Sequence, residues 1–96
     1  MKTNIEMIRN LDSTYTPETK HVVSIKEIHL INQKLCLDEM DKTALFNLRD
    51  MIVMYYSATV ETMPKNEVQK RLDVMDKMSA ITCVIDLKLH NLANKE

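Results

Sequence analysis

The 96-residue chain contains no glycine. At the usual frequency of about 7%, roughly seven would be expected, and their absence removes whole classes of structure. Without glycine there is no glycine-rich phosphate cradle and no tight hairpin turn built on positive φ, and most catalytic loop motifs are lost with them. What remains open to such a chain is a fold made of helices joined by short, proline- or aspartate-punctuated connections. Every periodic segment does repeat at three and four residues, so the expectation is an all-α fold in one domain spanning 1–96, with helix over more than two-thirds of the chain and no strand. His21-Val22-Val23 is the one stretch with strand-like character.

The punctuation divides the chain. Ile5, Ile8 and Leu11 share one face of a short N-terminal helix over Asn4–Leu11, followed by a linker at Asp12–Thr16. Two signals compete to start the next helix: Thr16-Pro17-Glu18-Thr19, with Pro at a first helical position, and Ser24-Ile25-Lys26-Glu27, a capping box. Ile25, Ile28, Ile31 and Leu35 then form a stripe, and the acidic run Leu37-Asp38-Glu39-Met40-Asp41-Lys42 is either a connection, with Asp38 or Asp41 as the following N-cap, or the middle of one continuous helix, a break or kink near Leu37–Asp41 being preferred. Ala44, Leu48, Met51, Tyr55 and Ala58 carry a helix as far as Pro64, which closes it and, at N1, opens the last one.

From Lys65 to Asn91 that last helix would be roughly 40 Å long and apolar over a wide arc that includes Val74, Met78, Ile81, Ile85, Leu89 and Leu92. One neighbour cannot cover such an arc. The expected architecture is a short N-terminal helix plus a long antiparallel helical hairpin, oligomeric through the flank of the last helix around Ile81 and Ile85.

Charge excludes further functions. Thirteen Lys and Arg against fourteen Asp and Glu leave a net charge of −1, mixed along the chain, so no basic field exists to hold a nucleic-acid polymer or an anionic membrane. A dimeric DNA-binding regulator is disfavoured for the same reason. The N-terminus has no apolar signal core and no segment approaches the length of a membrane span, which points to the cytoplasm. His21, His29 and His90 are too scattered for a metal site and read as surface groups; Cys36 and Cys83 have no partner spacing and read as buried thiols. Asp38, Glu39 and Asp41 lack the pattern of a calcium loop. No cofactor is implied and no enzyme is expected.

Several side chains suit a ligand. Tyr15, in a Thr-rich linker, offers an exposed ring for stacking; of Tyr55 and Tyr56, one belongs to the core and the other to a subunit contact; Phe46 is a core or interface anchor. Ser79 and Thr82 place two hydroxyls on one face of the last helix, beside the small residues Ala80 and Cys83. Lys65, Lys70, Arg71 and Lys77, interleaved with Glu67, Asp73 and Asp76, read first as a solvated face, with Lys70 and Arg71 as an alternative anion contact.

The stretch Ser24-Ile25-Lys26-Glu27-Ile28-His29-Leu30-Ile31-Asn32 resembles a segment of the small phage proteins that sequester cyclic oligonucleotides against CBASS immunity. The resemblance covers nine residues. It implies a ring of protomers built on a helical hairpin, with cyclic nucleotides held between them in the host cytoplasm. Tyr15 would stack on a base, Asn32, Lys34 and Arg71 would meet polar and phosphate groups, and Ser79 or Thr82 would supply hydroxyl partners. Leu72 stands where a tryptophan often follows the arginine in that family, and the glycine of its last helix is missing. The alternative is a protein-binding inhibitor or adaptor that docks on a host protein through the amphipathic last helix.

Overall fold

In a computed structural model, residues 3–19 and 22–95 are described; His21 lies outside them. The protein is 80% helical, with α1 at Asn4–Thr14, α2 at Ile25–Lys34, α3 at Lys42–Thr62 and α4 at Val68–Lys95. Among the described residues there is no strand, and only an isolated bridge links Thr19 and Val22. The all-α expectation holds.

The starts of α1, α2 and α3 each have a side-chain acceptor for an otherwise orphaned N–H. Thr3 Oγ1 accepts from the Glu6 N–H at 3.3 Å to begin α1. For α2 the capping box prevails over Thr16-Pro17: the Glu27 N–H donates to Ser24 Oγ at 3.1 Å and the Ser24 N–H donates back to Glu27 Oε1 at 3.5 Å. Asp41 Oδ1 accepts from the Ala44 N–H at 2.9 Å to begin α3.

The break between α2 and α3 falls inside the acidic run. Cys36 turns the chain at φ 53°, ψ 43°, and one 3₁₀ turn at Leu37–Glu39 leads to the Asp41 cap. A left-handed residue after a helix end is the usual place for glycine, and a glycine-free chain must put a side chain there. Pro64 does not open α4. Met63 is extended, as a residue before proline prefers; the Glu67 N–H donates to the Pro64 carbonyl at 3.1 Å, and the Arg71 N–H to that of Glu67 at 3.1 Å. This tight turn delays α4 to Val68.

The molecule measures 46 × 26 × 21 Å. α3 and α4 share the most extensive packing, while α1 rests on α3 and α2 on α4. Ile8, Leu11, Ile31, Leu35, Leu45, Leu48, Ile52, Ile81 and Ile85 interlock as the core, each with almost no exposure. Polar ties link the elements around it: Arg49 bonds Asp86 at 2.7 Å, Tyr56 Oη donates to Asp12 Oδ1 at 2.9 Å, and Lys88 pairs with Asp38. The phenol of Tyr56 is buried beside that carboxylate, and its pKa is raised far above the ordinary value.

Four expectations change. Ile81 and Ile85, read as an oligomer surface, are consumed inside the chain because α3 and α2 pack against α4. The apolar groups left outside on α4 are Val68, Leu72, Met75 and Leu87. Phe46 is 55% exposed and is no core anchor. Cys36 and Cys83 are exposed thiols, because one sits on a connection and the other on the outward side of α4. Tyr15 is buried at 2% exposure, because α1 runs three residues past Leu11 and turns its C-cap ring into the core. Of the tyrosine pair, Tyr56 is buried and Tyr55 half-buried, their rings edge to face at 5.2 Å. His29 and His90 are exposed.

Candidate partner-binding groove

Tyr15 organises the segment that follows it. Its hydroxyl donates to Glu27 Oε2 at 2.5 Å, between two side chains that are both almost fully buried. Burial acts to raise the Glu27 pKa, but the bonds from Tyr15, Ser24 and the Glu18 backbone outweigh it and hold the carboxyl below the ordinary glutamate value. The Tyr15 phenol is driven strongly upward, first by burial and then by this same bond. The lock joins the end of α1 to the start of α2, and beside it the described residues Thr16–Thr19 and Val22–Val23 form a strap. Thr19 Oγ1 donates to the Val22 carbonyl at 3.2 Å within it.

Between this strap and α4 lies an open groove of about 980 Å³. Thr16, Pro17, Glu18, Thr19, Val22 and Val23 form one wall, and Asp73, Asp76, Ala80 and Cys83, spaced three, four and three along α4, form the other. Tyr56 and Thr59 of α3 contribute to the lining. At the α1 end, Lys77 Nζ lies 2.6 Å from the Asp12 carbonyl and 3.0 Å from Asp12 Oδ1. That lysine neutralises Asp12 and caps the last turn of α1, so its charge is already engaged.

The groove is apolar along its length and acidic at its rim. Val23 and Val74 are half-buried, Ala80 is buried, and Val22 is 64% exposed at the edge. Glu18, Asp73 and Asp76 have no ion-pair partner among the described residues; Asp73 accepts only a 2.9 Å bond from Gln69 Nε2. Four carboxylates and one lysine among the described lining residues give a local charge of −3.

Of the six side chains singled out from sequence, only Ser79 lines this groove. Tyr15 lies inside the core. Asn32 Nδ2 donates to Asp38 Oδ2 at 3.3 Å, tying α2 to the connection, while its Oδ1 is buried without a partner. Asp38 is held below the ordinary aspartate pKa by Lys88 first and Asn32 second. Lys34 is exposed in the last turn of α2, where a cation answers the helix dipole. Arg71 is half-buried at the start of α4, and Thr82 Oγ1 donates to the Met78 and Ser79 carbonyls of its own helix at 3.0 and 3.1 Å. The structure does not gather these six into one site.

The groove residues that sequence reading passed over are Glu18, Val22, Asp73 and Asp76. Their only signal was the 73-76-80-83 spacing, masked by the alternating charges around it. Among the described residues, no three His, Cys, Asp or Glu side chains converge as a metal ion requires, and no helix is long and apolar enough to cross a membrane. Compared with known proteins, the chain matches no family model, no curated protein and no solved structure.

Proposed function

We propose that this chain is a non-catalytic helical binding protein that docks a segment of a partner protein in the groove between the strap and α4. The observation that carries this reading is the groove itself: an open, valine-lined channel whose rim carboxylates Glu18, Asp73 and Asp76 have no ion-pair partner among the described residues. Such a surface suits a polypeptide, which brings apolar side chains for the floor and backbone groups for the hydroxyls of Ser79, Thr59 and Thr19.

Sequestering a cyclic oligonucleotide is supported less. Within the nine residues that carry that resemblance, Ser24 and Glu27 form the α2 cap, Ile31 is core and Asn32 bonds Asp38. Their pattern is accounted for by folding. Tyr15 has no free face for a base, and phosphates in this groove would meet a local charge of −3.

Ser79 is exposed and lines the groove, so Ser79→Arg fills the channel without touching the core. A partner retained from cell lysate by the wild type and lost with Ser79→Arg, with helicity unchanged, is the expected result. Equal retention by both would refute the docking site. Native mass spectrometry with a mixture of cyclic di- and trinucleotides should show no added nucleotide mass; a stoichiometric adduct would replace this reading with the sequestering one.

A further inference from the structure

We infer that the groove selects a cationic, aliphatic stretch of its partner, Lys or Arg alternating with branched aliphatic residues; this rests on the docking reading above and specifies its chemistry. Asp73 and Asp76 stand one turn apart on α4, with Glu18 among the strap residues of the opposite wall. None of the three is paired with a cation among the described residues, whereas the one lysine of the lining is spent on Asp12. Three uncompensated carboxylates around an apolar channel repel anionic segments and attract cationic ones, so they set specificity as well as encounter rate.

Size and polarity favour a peptide over a small cation. From Asp73 to Cys83 the α4 wall runs roughly 15 Å, the length of about five extended residues. The carboxylates of Asp73 and Asp76 occupy one end of this wall, and Ala80 and Cys83 the other. Val22, Val23 and Val74 supply apolar surface that a hydrated polyamine could not use. An extended segment turns successive side chains to opposite sides. Its aliphatic set can therefore face the valines while its basic set reaches the rim.

The test is fluorescence anisotropy with a labelled peptide of alternating lysine and leucine, beside a matched peptide of glutamate and leucine. The lysine peptide should bind, and the glutamate peptide should not. Asp73→Asn with Asp76→Asn should weaken binding by about tenfold, as expected for two partly screened ion pairs, and raising the salt should act in the same direction. Asp50→Asn with Glu61→Gln makes the same charge change at exposed α3 positions outside the groove and should leave affinity within about twofold. Circular dichroism of each variant should match the wild type.

Equal binding of the two peptides, equal weakening by the two double variants, or no binding of the lysine peptide would each overturn the inference. The docking reading is read out separately. If Ser79→Arg abolishes partner retention while the groove aspartates leave peptide affinity untouched, the groove stands as a docking site and its cationic selectivity falls. If Ser79→Arg changes neither partner retention nor peptide affinity, both fall together.

Discussion

Replacing Tyr15 by phenylalanine tests the lock that joins α1 to α2. The ring is retained, so no cavity opens; only the hydroxyl that donates to Glu27 Oε2 at 2.5 Å is removed. Both side chains are below 5% exposure, so water cannot readily replace the lost donor. Hydrogen bonds to charged groups contribute about 1.5–3 kcal/mol, and the remaining contact from Ser24 N–H is long at 3.5 Å. Tyr15→Phe should therefore lower stability by about 2 kcal/mol, which for a domain of this size lowers Tm by about 8–16 °C. Tyr15→Ala removes the ring as well and should lose a further 3–5 kcal/mol, roughly, a large share of the total stability of a small domain.

The pH dependence separates the bond from mere packing. Glu27 has a folded-state pKa below the 4.5 usual for glutamate. Its contribution is therefore fully present above the unfolded value and is lost as pH falls through the folded one. The gap between wild type and Tyr15→Phe should narrow across that acid limb, when the carboxyl becomes protonated in both states. Urea titrations followed at the helical circular dichroism band, at neutral pH and again well below the glutamate range, measure it. A loss under about 0.5 kcal/mol at neutral pH would refute the assignment, because it falls well below the about 1.5–3 kcal/mol of bonds to charged groups. So would a loss that stays the same in acid.

Two more outcomes follow from the packing. Ile85→Asp puts a carboxylate at a position with no exposure and should unfold the chain, at a cost of several kcal/mol; a helical, cooperatively melting Ile85→Asp protein would contradict the α4 register. Cys36→Gly should leave stability unchanged or raise it by up to about 1 kcal/mol, since an exposed side chain at φ 53° gives up a left-handed strain of about 1–2 kcal/mol, partly offset by the added freedom of glycine in the unfolded chain. A clear drop in urea midpoint would mean that the Cys36 side chain makes a contact that stabilises the turn.

Local rules explain how much of this fold is legible in the chain. The Ser24 capping box, the Asp41 cap, the stop before Pro64 and the helical stripes all rest on residues within four positions of one another, and the structure realises the caps, the stop and most of each stripe, leaving Ile25 and Ala58 exposed at stripe ends. Tyr15 was misjudged because its partner is twelve residues away, and Glu27 already had a complete local role as the third residue of a capping box. Nothing in the one-dimensional pattern shows that the second oxygen of that carboxylate is free to take a phenol. The left-handed turn at Cys36 is illegible for the opposite reason: the residue that normally marks such a helix end is absent from the whole chain.

The groove was hidden by the same non-locality. Asp73 and Asp76 sit among Lys70, Arg71 and Lys77, and in sequence the signs cancel. In space they separate, because Lys77 turns to the end of α1 and bonds Asp12 at 3.0 Å, while Lys70 reaches back to Glu67 at 3.4 Å. The two lysines are thereby drawn away from the carboxylates that lie between them, and the α4 wall becomes acidic without any acidic run in the sequence. The opposite wall lies beside the Tyr15–Glu27 bond, which ties the end of α1 to the start of α2. One buried phenol thus ties the α1–α2 junction of the core beside the second wall of the groove; on the proposed docking reading, stability and recognition share that bond.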